Sequence, residues 1–142
     1  MVEKDTSALL RELERFSDFR RFYQQNEPVL QSVSVAQALS ALMEEKGLQR
    51  SAVVAASQLS EVYAYQIFSG VRKNPSRGKL LCITIAMGLS LEQTQTLLKH
   101  TGYPMLYART PYDCVVIYGI LHGMDVVQVN ALMYEYLQTT LE

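Results

Sequence analysis

The run LQRSAVVAASQLSEVYAYQIFSG, Leu48 to Gly70, separates into two short apolar-periodic segments around a polar corner. Val53, Val54 and Leu59 supply an inner face at the corner. Ala64, Ile67 and Phe68 recur at i, i+3, i+4, the spacing that buries one side of a helix. Ser60 stands where an N-cap hydroxyl accepts from an otherwise orphaned backbone N–H. Gly70 stands where a left-handed residue ends a helix. Two short helices joined at a polar corner follow from this pattern.

Outward from this unit the whole chain reads as helix. Leu9, Leu10, Leu13, Phe16, Phe19 and Tyr23 form an amphipathic stripe over Ser7 to about Gln25, and Asn26-Glu27-Pro28 is expected to end it. Ser34 with Gln37 carries a capping-box signature for a helix that buries Val35, Ala38, Leu39 and Leu42 and stops at Gly47. Ser76 can cap a helix to about Met87. Ser90 with Gln93 is a second box, for a helix ending near Gly102. Pro111–His122 and Asp125 to about Gln138 complete the chain, although Val115-Val116-Ile117 is β-prone. The expected division is an N-terminal amphipathic extension over 1–30, a core domain over 34–102, and a C-terminal helical extension over 103–142 packed on that core. The apolar stripe Val126, Val129, Leu132 or Met133, and Leu137 can pack on the core or on a second protomer, as can the N-terminal one.

The order of residues around the corner resembles the lambda-repressor-like helix-turn-helix domain, the XRE family. Phe68-Ser69-Gly70 matches the family's Phe, small polar, Gly ending. Arg72-Lys73-Asn74-Pro75-Ser76-Arg77 resembles its basic dipeptide and Pro-Ser, with one residue inserted. Leu80, Leu81, Ile83 and Ile85 then follow as the next helix. The resemblance covers about Val35 to His100. It implies an all-α fold with a lambda-repressor-like core and helical extensions at both ends. Gln58 stands where the family usually has glycine at the turn. Either Gln58 adopts positive φ at a cost of about 1 kcal/mol, or the turn differs slightly.

The resemblance further implies a sequence-specific, double-stranded DNA-binding transcriptional regulator of bacterial or phage type, whose second helix enters a major groove. Ser60, Glu61, Val62, Tyr63 and Tyr65 would then face base edges or the adjacent backbone. Arg72 is a candidate bidentate contact to guanine, and Glu61 can accept from cytosine N4. Arg50, Ser51, Lys73 and Arg77 are the expected phosphate contacts, the first two beside a helix N-terminus. A homodimer is expected, because a single reading helix spans few base pairs.

Charge agrees with that placement. The net charge of −1 hides an asymmetry: 1–45 carries −3, 46–79 carries +5 and 80–142 carries −3. The basic block holds Lys46, Arg50, Arg72, Lys73, Arg77 and Lys79 against the single acid Glu61. A basic stretch that coincides with a reading helix is the electrostatic footprint of phosphate binding.

Other classes find little support. His100 and His122 have no partner at metal-ligand spacing. No glycine-rich loop follows a strand, and no Ser/His or Cys/His context suggests a nucleophile. An enzyme, a metal site and a cofactor are therefore not expected. Met-Val-Glu-Lys-Asp-Thr lacks a basic region before an apolar one, and the apolar run near Cys114 to Leu121 is too short for a bilayer. A cytoplasmic protein without membrane association is expected, with Cys82 and Cys114 as buried reduced thiols. The competing reading is a protein-interaction module on the same fold, engaged through the Tyr-rich or N-terminal apolar surfaces, with weak or no DNA binding. A continuous positive face across Arg50, Arg72 and Arg77 favours DNA, and a broken one favours the module.

Overall fold

The computed structural model describes residues 5–30 and 33–142, and every regular element among them is a helix. Two compact units divide the chain between residues 32 and 33.

The first unit contains α1 (Thr6–Arg15) and α2 (Phe19–Leu30). The single helix expected over Ser7–Gln25 is thus two. α1 is capped by Asp5 through the Ala8 N–H at 2.7 Å and closes at Phe16. Asp18 Oδ1 then accepts from Arg20 N at 3.0 Å and starts α2. An aspartate that can bond its own downstream backbone competes with an uninterrupted helix, and here it prevails. Nor does Asn26-Glu27-Pro28 stop α2, which continues to Leu30. Phe22, outside the expected stripe, is buried and packs edge-on to Phe16 at 5.8 Å.

The second unit contains α3 (Val35–Lys46), α4 (Arg50–Ala56), α5 (Glu61–Ser69), α6 (Arg77–Ala86), α7 (Leu91–His100), α8 (Pro111–Leu121) and α9 (Val126–Leu137). Polar caps set most of the starts. Ser34, Ser60, Ser76, Ser90 and Asp125 each accept from the backbone N–H three residues on. Ser90 with Gln93 and Asp125 with Gln128 close full reciprocal boxes. The β-prone Val115-Val116-Ile117 lies inside α8, where Pro111 at the first turn and packing on α9 override local preference.

α3 packs on α5, α4 on α5 and α6, α6 on α9, and α7 on α8. One apolar cluster joins Leu39, Val53, Ala64, Ile67, Phe68 and Leu80 to Val116, Val126, Val129 and Met133. The last forty residues therefore share a core with 33–102. Two glycines permit close approaches. A Cβ on Gly119 would lie 2.5 Å from Val129 Cγ2. One on Gly78 would lie 1.8 Å from the Leu141 carbonyl oxygen, so glycine alone lets the terminal segment lie across α6. That segment is fixed by Leu141 N donating to Asn130 Oδ1 at 2.8 Å and by the Tyr112 hydroxyl donating to Leu141 O.

Cys82 is buried as expected, and burial pushes its thiol up to about 12. Cys114 is exposed, contrary to expectation. α8 is apolar on nearly every side, so its periodicity does not say which side turns inward. The buried Asp113 decides, by pairing across the unit with Arg77.

Candidate nucleic-acid interface

Between α4 and α5 the corner is Ser57–Ser60. Ser57 is buried and its hydroxyl donates to Val54 O at 2.7 Å while accepting from Leu59 N at 3.3 Å. Gln58 turns the chain with φ of +62°. The first of the two alternatives for this residue is therefore the one adopted. Ser60 caps α5 through the Tyr63 N–H at 3.2 Å, and Gly70 ends it at φ +87°. Ala64, Ile67 and Phe68 hold the inner side at 0%, 0% and 3% exposure.

With that side fixed, helical geometry sets the outer one. Val62, Gln66 and Ser69 fall on the outermost line, at i, i+4 and i+7. Val62 is 69% exposed. Glu61 is exposed in the first turn, where its charge suits the helix dipole. Tyr63 and Tyr65, expected to face outward, are half-buried on the flanks and pack against the cluster.

The Tyr63 ring organises the cations. Arg72 Cζ lies 4.3 Å from its centroid and Lys79 Nζ lies 4.0 Å from it. Arg72 is further oriented by its Nε donating to Gln66 Oε1 at 2.9 Å, and by its backbone N donating to Gln66 O at 3.0 Å. The side-chain bond uses Nε, not the terminal nitrogens. Lys73 is exposed in the same loop. The loop is anchored underneath: Pro75 is buried and its carbonyl accepts from the Tyr103 hydroxyl.

Arg77 is placed differently. Nη1 and Nη2 bind Asp113 Oδ1 and Oδ2 at 2.7 and 2.8 Å, Nε donates to Pro104 O at 3.0 Å, and Nη2 donates to Met105 O at 3.1 Å. Four of its five N–H donors are thus committed within the protein. Burial opposes ionisation of Asp113. Hydrogen bonds from Arg77 and from the Tyr107 N–H, with the Arg77 charge, outweigh it and hold the carboxyl below its usual range. The Asp113 hydrogen bond likewise raises Arg77, against burial.

Arg50 opens α4 with its guanidinium 5.3 Å from the Phe68 ring centroid, and Ser51 beside it is exposed. The line Arg50–Arg72–Arg77 is therefore interrupted at its last member, which is neutralised. The structure instead brings together Val62, Tyr63, Gln66, Arg72 and Lys79, with Lys73 on the same loop. Gln66 and Lys79 are not among the site residues expected from sequence. The signal for Gln66 is its place one turn after Val62 on the outer line. Lys79 belongs to the basic block, but only the fold brings it to Tyr63.

Among the described residues no group of three or more His, Cys, Asp or Glu side chains converges as a metal site requires. None of their helices is long and apolar enough to cross a membrane. No family model, curated protein or solved structure matches the chain.

Proposed function

We propose that this chain is a sequence-specific regulator that binds double-stranded DNA, with α4 and α5 as a lambda-repressor-like helix-turn-helix and α5 as the helix that enters the major groove. One observation carries the reading. The outward first turn of α5 adjoins a guanidinium held by Gln66 and Tyr63, with a second cation on the same ring. A helix face bordered by oriented cations is what groove entry between two phosphate strands requires. Arg72, Lys73 and Lys79 are the cations offered to DNA, with Arg50 and Ser51 at the start of α4. Arg77 instead ties the start of α6 to residues 104–113. A homodimer on two-fold-related half-sites belongs to the same proposal, because one α5 reads too short a sequence alone.

The test is a mobility-shift titration with random-sequence duplexes at low salt, followed by selection of the preferred site. Enrichment of one sequence, with affinity falling as salt rises, supports the regulator. Absence of any shift at low salt removes it. The neutralised Arg77 and the exposed Val62 and Val71 favour a second reading, a protein-interaction module whose α5 face meets another protein. Under that reading duplexes bind weakly or not at all, and no sequence is enriched.

A further inference from the structure

We infer that Val62 is a specificity-determining residue that packs on the 5-methyl group of a thymine, beside the base addressed by Arg72. This rests on the DNA-binding reading of α5. Val62 lies on the line most remote from the core, one turn ahead of Gln66, and is 69% exposed. Gln66 bonds Arg72, so the outer line runs from an isopropyl group to a fixed guanidinium. In the major groove the base-pair feature without hydrogen-bonding capacity is the thymine methyl, and the feature that accepts two N–H donors from one arginine is guanine. An apolar group at the first turn of a reading helix, next to an oriented guanidinium, matches a site in which a thymine neighbours a guanine. Glu61 sharpens this choice. Its carboxylate repels phosphate and base acceptors, so the first turn is not itself an anion contact, and the flanking cations hold the helix in register while the first turn meets base edges.

Deoxyuridine isolates the methyl, since it differs from thymidine in that group alone. Each thymine of the selected site is replaced singly by deoxyuridine, and affinity is measured for the wild type and for Val62→Ala. Wild-type affinity is expected to fall about three- to fivefold at one thymine, the effect of one buried methyl. Val62→Ala is expected to bind the unmodified site about that much more weakly and to lose most of the response at that thymine. An exposed helical side chain is being shortened to alanine, a better helix former, so the thermal midpoint should not fall, and this is checked on the same samples. Selective binding with no deoxyuridine position changing affinity by twofold overturns the inference and leaves the regulator standing. So does a Val62→Ala protein that keeps the full wild-type response. Failure of every duplex to bind overturns both.

Discussion

Arg72 and Arg77 lie five residues apart in one basic stretch, yet the two ends of that stretch behave oppositely. At the loop, Arg72 is steered by a neutral amide and an aromatic face, neither of which neutralises it. At the start of α6, Arg77 meets a carboxylate and two backbone carbonyls supplied by residues 104–113. The difference shows that a positive residue is available to a ligand only if the fold brings it no acceptor of its own. Charge patterning along the chain weighs both arginines equally, because it does not see residues about thirty positions downstream.

The most severe way to break the comparison is to collapse the core beneath both regions. Phe68→Ala should cost about 3 to 5 kcal/mol in urea denaturation, since Phe68 is 3% exposed in the shared cluster. Retention of wild-type stability would mean that α5 is not held as described.

Removing the acceptor of only one arginine sharpens the contrast. Asp113→Ala should cost about 3 kcal/mol, because it leaves Arg77 half-buried without its counter-charge. The cost should depend on pH. The folded-state pKa of Asp113 lies below the ordinary aspartate value of 3.8. Its contribution is therefore fully present above that value and is lost as pH falls through the folded pKa. Thermal midpoints of wild type and variant should converge below pH 3.8. Midpoints that stay parallel down to acid would show that the carboxylate does not act through its charge.

The complementary change removes the cations that have no counter-charge. Arg72→Ala/Lys73→Ala/Lys79→Ala should weaken binding to the selected site by about tenfold or more, and flatten the salt dependence by about one unit for each phosphate left without its cation. Stability should move little. Arg77→Ala should do the reverse, lowering the thermal midpoint while leaving the salt slope of the remaining folded protein near wild type. A triple variant with wild-type affinity and slope would return the basic loop to the status of a solvated surface.

The smallest effect concerns the corner. Gln58→Gly should stabilise the protein by about 0.5 to 1 kcal/mol, since glycine accepts φ of +62° without the left-handed penalty. Chemical denaturation of the two proteins side by side measures it. A destabilised glycine variant would show that the Gln58 side chain, which donates to Ala55 O at 3.4 Å, contributes more than its backbone costs.

Much of this was legible in advance because it is local. The caps at Ser60, Ser76 and Ser90 and the left-handed Gly70 depend on residues within a single turn of each other, and so does the burial of Ala64, Ile67 and Phe68. Local signals also misled where two of them competed. Asp18 split a stripe that was regular enough for one helix, and Pro28 failed to stop α2. On α8 the apolar residues surround the axis, so no period distinguished Asp113 as the inward position or Cys114 as the outward one.

The sequence by itself determined the helical class, most of the element boundaries, the turn at Gln58 with its cap at Ser60, and the basic segment that follows α5, because periodicity, capping and charge are properties of neighbouring residues. Tertiary structure decided which cations are free. It closed residues 104–113 around Arg77, set Lys79 and Arg72 on one tyrosine ring, and laid Leu141 against Gly78. Each of these joins residues that the chain keeps apart, and a hydrogen bond or ring contact between distant residues exists only once the core has placed their backbones within reach.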